Sequence, residues 1–193
     1  MIADLIKANR SCRRFDQQQP VTLSTLMELV DLGRLSASAA NLQPLKYILS
    51  CHPTTNGRIF ECLAWAGYLK DWPGPEEGQR PAAYIVVLHD TTISKNVDCD
   101  HGIASQSILL GAREKGLAGC MLGAVNRPKL KGVLTIPDHL KILLVLAIGK
   151  SGERIVIDKV DAGGNIRYWR DAQDVHHVPK RQLEEVVVAC YED

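Results

Sequence analysis

Apolar side chains recur at intervals of three and four residues in several segments, which is the spacing of one helix face. The helices predicted from this spacing cover residues 2–9, Leu23 to Arg34, 56–69 and Pro128 to Leu134. Thr22 precedes the second helix and belongs to a residue type that caps helix N-termini, so we expect that helix to begin there.

A further helix, from Gly102 to Ala112, has apolar or small residues around most of its circumference. Such a helix must be covered on nearly every side. A dimer interface would cover it, because Ala104, Gly111 and Ala112 allow another helix to approach closely. A central position within its own monomer would cover it equally well, and the pattern leaves both arrangements open.

Short apolar segments that are typical of buried strands alternate with these helices. They cover Lys46 to Cys51, Ala82 to His89, Ala118 to Met121 and Leu140 to Ile148. The alternation has no strict βαβ rhythm, so we predict an α+β fold with a mostly antiparallel or mixed sheet flanked by helices. The length of 193 residues suits one domain, residues 1–193.

Two irregular segments complete the prediction. Residues 71–78 contain two prolines and two glycines, which predicts a loop and a candidate lid. The chain from Gly163 onward mixes aromatic and charged residues, which is typical of an extended segment that crosses a surface.

Charge and composition exclude several classes of partner. The formal net charge of +1 argues against binding to nucleic acid. The longest apolar run, Ile142 to Ile148, is far shorter than the ~20 residues of a membrane span, so no membrane partner is expected. The N-terminal segment lacks a signal-peptide core, which favours a cytoplasmic location.

No metal site is expected. The six cysteines have no short paired spacings, so we expect reduced and largely buried thiols. Asp98 to His101 lies at a predicted helix start, where acidic residues favour the helix dipole and provide a cap. His176 and His177 lack a full ligand set and are interpreted as surface or interface residues.

Three motifs carry candidate chemistry. The segment Arg10 to Phe15 offers guanidiniums and a hydroxyl that suit a dianionic phosphate, although a solvated basic turn has the same pattern. The segment Ser36 to Pro44 has small side chains followed by the carboxamides of Asn41 and Gln43, which can match a heterocycle edge or form an ordinary loop. Glycines in the segment Gly116 to Ala124 allow the backbone to approach a planar ligand closely. They follow a predicted helix rather than open one, so the match to a Rossmann fingerprint is weak.

Taken in order, Arg-Ser-x-Arg-x-Phe, Ser-Ala-Ala-Asn-x-Gln-Pro and Gly-Leu-x-x-Cys-x-x-Gly-Ala resemble the motifs of the FMN-dependent nitroreductase family. The resemblance covers nearly the whole chain. It implies a nitroreductase-like fold and an intertwined homodimer with FMN at the subunit junction. It also implies a C-terminal tail, about residues 163–193, that extends over the partner subunit, and NADH or NADPH as the reductant.

The same resemblance implies roles for particular residues. The implied FMN contacts are Arg10 and Ser11 at the phosphate, Arg13 at the N1/O2 side of the ring, Asn41 and Gln43 from the partner subunit, the backbone amides of Leu122 and Gly123 at N5, and the pair Lys180-Arg181 at the phosphate. Many relatives have Arg-Arg-Ser where this chain has Asn9-Arg10-Ser11. One phosphate contact is therefore weakened unless Arg14 compensates.

The implied function is an FMN-dependent NAD(P)H oxidoreductase that reduces nitroaromatic, quinone or similar electrophilic acceptors by ping-pong hydride transfer. No side chain has an assigned catalytic role, and Arg13 would stabilise the reduced flavin electrostatically. Trp65, Tyr68 and Trp72 could shape the acceptor pocket, with core packing as the alternative for Trp65. The alternative functions are reductive dehalogenation or flavin fragmentation on the same fold, and non-catalytic flavin binding.

Overall fold

The computed structural model describes residues 1–69, 71–160 and 163–192. The helices are α1 (Ile2–Ala8), α2 (Leu23–Arg34), α3 (Pro53–Phe60), α4 (Asp100–Glu114), α5 (Arg127–Leu134) and α6 (Leu183–Val186). The strands are β1 (Phe15–Asp16), β2 (Leu45–Ser50), β3 (Ala83–Asp90), β4 (Ala118–Leu122), β5 (Leu140–Ser151), β6 (Ile155–Lys159), β7 (Trp169–Arg170) and β8 (His176–Lys180). No helix among these residues is both long enough and apolar enough to cross a membrane.

The main sheet is antiparallel and centres on β5. Strand β3 pairs with one edge of β5 and β2 pairs with β3, while β4 and β1 pair with the other edge of β5. Val86 lies opposite Val145, and Cys120 lies opposite Ala147. The predicted α+β fold with a mostly antiparallel sheet flanked by helices is confirmed.

Helices cover both faces of this sheet, which explains why every residue of β3 is buried. Successive side chains of a strand point to opposite faces. Ile85 and Val87 therefore join the core beneath α2 and α4, whereas Val86 and Leu88 join the core beneath α3 and α5. The third motif, Gly116 to Ala124, contains β4, so the ladder between β4 and β5 holds this motif in the main sheet.

Helix α4 is covered mostly by its own chain. Ile108, Gly111 and Ala112 are buried, and a Cβ added to Gly111 would lie 2.2 Å from a methyl carbon of Leu32. This glycine therefore allows α2 and α4 to pack closely. Ile103 stays 42% exposed at the N-terminal end of α4, so the monomer leaves part of the apolar circumference open.

The predicted helix over 56–69 is wrong in its bounds. Helix α3 begins at Pro53, which suits the first helical turn because proline lacks the N–H that is unpaired there. It ends at Phe60, because Leu63 bridges to Val125 and the carbonyl of Cys62 accepts a hydrogen bond from the Asn126 N–H. Apolar residues at helical spacing here belong to a chain segment that packs against the loop after β4. The predicted cap at Thr22 is confirmed, since its hydroxyl oxygen accepts the Thr25 N–H at 3.1 Å.

A second sheet of three short strands was absent from the prediction. Strand β8 lies between β6, to which it is parallel, and β7, to which it is antiparallel. Residues 169–180 of the predicted tail therefore pair within their own chain. The end of the tail is open, with Val188 and Tyr191 99% and 96% exposed, and residue 193 lies outside the described part of the chain.

Candidate active site

The turn that follows α1 is fixed to the sheet by backbone hydrogen bonds. The Cys12 N–H donates to the Gly119 carbonyl at 3.0 Å, and the Gly152 N–H donates to the Arg14 carbonyl at 2.9 Å. The turn therefore lies across the start of β4 and the end of β5. Side chains of the first motif are held beside the third motif as a result.

A cavity of about 220 Å³ lies beside this turn, and we call it the basic cavity. Its walls are formed by Asn9, Arg10, Ser11, Arg13, Tyr168, His176, Val178 and Lys180. Within residues 1–69, 71–160 and 163–192, the side chains of Arg10, Arg13 and Lys180 form no ion pair with a carboxylate. The cavity thus concentrates uncompensated positive charge, which suits an anionic ligand group.

A second cavity of about 220 Å³, the strand-end cavity, lies where β4 ends. It is lined by Arg13, residues 64–67, residues 120–124 and Tyr168. Leu122 and Gly123 thus lie in its wall, and a Cβ added to Gly123 would meet no atom within 4 Å. The two cavities share Arg13 and Tyr168.

Arg13 is held between the cavities by three contacts. One guanidinium nitrogen lies 3.2 Å from His176 Nε2 and 3.4 Å from the Ser11 carbonyl oxygen, and the guanidinium carbon lies 4.6 Å from the centre of the Tyr168 ring. Burial lowers the pKa of His176 to about 4, although Glu153 acts in the opposite direction. His176 is therefore neutral at pH 7 and its Nε2 can accept a hydrogen bond from Arg13.

His176 and Tyr168 are functional candidates that the sequence analysis missed. The interpretation of His176 as a surface residue is wrong, since it is only 1% exposed. Its neighbour His177 lies on the other side of β8, where its ring nitrogens are 2.8 Å from Asp158 and 3.2 Å from Asp171. The alternation of neighbouring side chains along a strand could have separated the two histidines, had β8 been predicted.

Glu153 was also missed, because it lies in the turn between β5 and β6 and belongs to no motif. Its side chain is 2% exposed and accepts the backbone N–H groups of Arg13 and Arg14. It also forms an ion pair with Arg170 of β7. This carboxylate therefore connects the turn after α1 to the small C-terminal sheet.

Arg14 and Arg181 lie outside the basic cavity. Arg14 forms an ion pair with Asp174 and lies 5.6 Å from the Trp72 ring, so it does not replace the arginine missing at position 9. Arg181 lies 3.7 Å from the carboxylate of Glu185. Of the basic pair at the C-terminus, only Lys180 lines the basic cavity.

Asn41 and Gln43 line neither the basic nor the strand-end cavity. Both are exposed, and they lie in the loop between α2 and β2. Asp100 contacts this loop: its carboxylate accepts hydrogen bonds from the Ser38 hydroxyl and the Ala39 N–H. The predicted helix start is confirmed, since α4 begins at Asp100 and this acidic residue lies in the first turn. The predicted cap is wrong, because the cap residue is Cys99 and no side chain caps the helix.

The aromatic residues near the predicted lid divide between core and surface. Trp65 is 7% exposed and belongs to the core, which agrees with the core packing given as the alternative for this residue. It also borders the strand-end cavity. Tyr68 is 51% exposed, and its ring centre lies 4.9 Å from that of Tyr168. Residues 71–78 lack helix and strand, as predicted for a loop.

The α+β fold thus places two cavities side by side, with Arg13 and Tyr168 in the walls of both. The model of the nitroreductase family matches residues 6–150, and the chain therefore belongs to that family. The predicted class, an oxidoreductase enzyme, is confirmed.

Individual relatives are distant. A Methanothermobacter thermautotrophicus protein named as an NADH dehydrogenase/NAD(P)H nitroreductase is 26% identical over 161 residues, with 79% of this chain and 78% of the relative covered. An FMN-dependent nitroreductase from Clostridium difficile is 21% identical, with a TM-score of 0.63 over 78% of this chain and 87% of that chain. A protein from Exiguobacterium sibiricum, named as a nitroreductase and solved in complex with FMN, is 14% identical, with a TM-score of 0.66 over 79% of this chain and 89% of that chain.

Proposed function

We propose that this chain is an FMN-dependent NAD(P)H oxidoreductase that acts as a homodimer. The observation that carries the proposal is the pair of adjacent cavities, one basic and one at the end of β4, with Arg13 in the wall of both. Two structural neighbours are described as FMN proteins and a sequence relative is named an NAD(P)H nitroreductase, which supports the same pair of cofactors.

The basic cavity fits the phosphate of FMN. The Arg10 Nε is buried and has no hydrogen-bond partner among the described residues, so a bound anion would satisfy it. Arg10, Ser11 and Lys180 would hold the phosphate, and Asn9 would leave one contact weaker than an arginine would. Arg181 stays a further candidate for this contact, although it faces Glu185 in the monomer.

The strand-end cavity fits the flavin ring. Bound FMN would supply the redox chemistry, which is hydride transfer from NADH or NADPH to an acceptor. The backbone at Leu122 and Gly123 would lie against N5, and Arg13 would stabilise negative charge that develops at N1/O2 in a poorly solvated site. Neutral His176 keeps the Arg13 guanidinium oriented without adding a second positive charge.

A second subunit would complete the site. Asn41 and Gln43 line neither the basic nor the strand-end cavity, and Gln43 instead borders a separate cavity of about 430 Å³ that Met27 of α2 and Ala104 of α4 also line. Exposed apolar residues lie on α2, on α4 and in the connecting loop: Leu23 (54%), Met27 (58%), Leu35 (65%), Leu42 (48%) and Ile103 (42%). Exposed apolar patches of this kind mark protein interfaces. We therefore propose that Asn41 and Gln43 contact the flavin of the partner subunit. The exposed end of the tail, beyond Val186, would contact the partner subunit.

The proposed acceptors are nitroaromatic compounds, quinones and similar electrophiles, reduced in a ping-pong cycle. Tyr68 and Tyr168 present aromatic surface beside the strand-end cavity, which suits a flat acceptor. The acceptor would occupy the position that the nicotinamide has left.

Anaerobic rapid mixing with NADH or NADPH tests this function. We expect purified protein to be yellow, to elute as a dimer, and to lose its flavin absorbance when the reductant is added. Reoxidation by a quinone after removal of the nicotinamide would support the ping-pong cycle. Bound flavin that stays oxidised with both reductants would contradict the proposed activity and favour a non-catalytic flavin-binding protein.

A further inference from the structure

The loop that carries Asn41 and Gln43 has an unfavourable backbone. Ala40, Asn41 and Gln43 have φ values of 48°, 55° and 54° in the left-handed region. Asparagine tolerates this region, whereas alanine and glutamine rarely occupy it. Such conformations persist only where surrounding contacts hold them, so the contacts of this loop require an explanation.

Asp100 supplies those contacts from the first turn of α4. It is 3% exposed, and its two carboxylate oxygens accept the Ser38 hydroxyl at 2.5 Å and the Ala39 N–H at 2.9 Å. Both bonds are charge-assisted and mostly shielded from water, which makes them stronger than neutral hydrogen bonds. The start of the left-handed segment is thus fixed to a helix that packs on the sheet.

Ser38 extends this restraint to the far end of the loop. Its Oγ accepts the backbone N–H of Gln43 at 2.9 Å. A hydroxyl has one proton, and a carboxylate can only accept hydrogen bonds, so Asp100 directs the Ser38 proton toward itself and leaves the Oγ lone pairs for Gln43. An amide at position 100 could instead donate to Ser38 and would remove this preference.

We infer that Asp100 is a positioning residue that acts through Ser38 to present Asn41 and Gln43 to the flavin of the partner subunit. The inference rests on the proposed function, since it requires bound FMN and a dimer. Asp100 itself contacts neither of the two cavities described above.

The test compares Asp100→Asn with Asp98→Asn. The control removes the same charge two residues away, at an exposed aspartate whose left-handed backbone also suits asparagine. We expect Asp100→Asn to elute as a dimer, to bind FMN about tenfold more weakly in a fluorescence titration, and to exchange the Gln43 amide hydrogen about tenfold faster. Ser38→Ala should give the same two changes, which covers the case in which Asp100→Asn does not fold.

A mixed dimer separates positioning from a general loss of structure. One subunit carries Asp100→Asn and the other carries Arg13→Ala, so that each homodimer binds FMN weakly. If the loop acts across the interface, the mixed dimer combines an intact Arg13 with an intact loop at one of its two sites, and one FMN per dimer should bind with wild-type affinity. Two weak sites in the mixed dimer, or wild-type affinity in the Asp100→Asn homodimer, would overturn the inference. Wild-type protein that binds no FMN would instead overturn the proposed function, and this inference with it.

Discussion

The central sheet contributes β4 to the strand-end cavity, and the C-terminal segment, residues 151–160 and 163–192, lines the basic cavity, but different interactions hold these two regions. All eight residues of β3 are buried between two apolar layers. The strands of the C-terminal sheet are mostly half-buried, and ion pairs within the segment hold them together: Glu153 with Arg170, and His177 with Asp158 and Asp171. The segment is joined to the rest of the molecule by the Arg14–Asp174 ion pair and by the hydrogen bonds that Glu153 accepts from the Arg13 and Arg14 N–H groups.

The family model ends at residue 150, so this division also separates the part of the chain that the family defines from the part that it does not. Arg10, Ser11 and Leu122 belong to the first part, whereas Tyr168, His176 and Lys180 belong to the second. We therefore expect the stability of the C-terminal segment to depend on salt and pH. The stability of the central sheet should depend mainly on the packing of its apolar side chains.

The largest expected effect comes from the buried sheet. Ile85→Ala should lower the free energy of unfolding by about 4 kcal/mol. Ile85 is fully buried, and the surrounding side chains would fill the cavity left by the substitution only in part. Urea denaturation at low and high salt should give the same loss. Ile157→Ala on β6, where the side chain is 45% exposed, is the matched control and should cost far less.

The next effect concerns the connection between the two regions. Glu153→Ala should destabilise the fold by about 3 kcal/mol, because Arg170 and the backbone N–H groups of Arg13 and Arg14 would lose their shared acceptor. Asp174→Asn, which removes the charge of a 57% exposed carboxylate and keeps a residue that tolerates the left-handed backbone at this position, should cost less than about 1 kcal/mol. Equal losses for these two variants in urea denaturation would contradict the distinction between a buried and an exposed ion pair.

A smaller effect is expected on the ligand. Lys180→Ala should weaken FMN binding about tenfold, which corresponds to about 1.4 kcal/mol. Lys159→Ala removes the same charge from the exposed residue opposite Lys180 in the parallel ladder and serves as the control. Arg181→Ala decides which member of the basic pair acts: a loss larger than that of Lys180→Ala would assign the contact to Arg181.

The smallest effect concerns pH. Hydrogen bonds and ion pairs with Asp171 and Asp158 raise the pKa of His177. A raised pKa in the folded state gives stability that is fully present below the unfolded pKa of about 6.5 and is lost as the pH rises through the folded value. The difference in urea midpoint between wild type and His177→Gln should therefore shrink above neutral pH. A difference that stays constant from pH 5.5 to 9 would sink this account of the ion pairs.

The sequence predicted those parts of the molecule that local patterns determine. The helices α1, α2 and α5 and the strands β2 to β5 have strong apolar patterns, and the first and third motifs predicted residues that line the two cavities. Residues of the second motif line neither cavity, and the two-residue strand β1 was not predicted. Strands β6 to β8 are short and half-buried, so their pattern is weak. Helix α3 was extended too far because Leu63 has helical spacing but packs on Val125 across the chain.

The missed site residues share a physical cause. Glu153, Tyr168 and His176 reach the site through contacts that span well over a hundred residues of sequence, and no local pattern encodes such contacts. Lys180 and Arg181 could not be distinguished from the sequence either. Their difference arises from where β8 ends relative to the basic cavity.

The central claim is that the basic and strand-end cavities together hold one FMN per subunit in a dimer. The most direct test is a titration of the flavin-free protein with FMN, in which binding is measured by the quenching of flavin fluorescence. Size-exclusion chromatography of the same samples gives the oligomeric state. We predict one FMN per subunit, a dimer in solution, and binding that weakens about tenfold or more in Arg10→Ala. FMN binding that is unchanged in Arg10→Ala, or no FMN binding by the wild-type protein, would contradict the account.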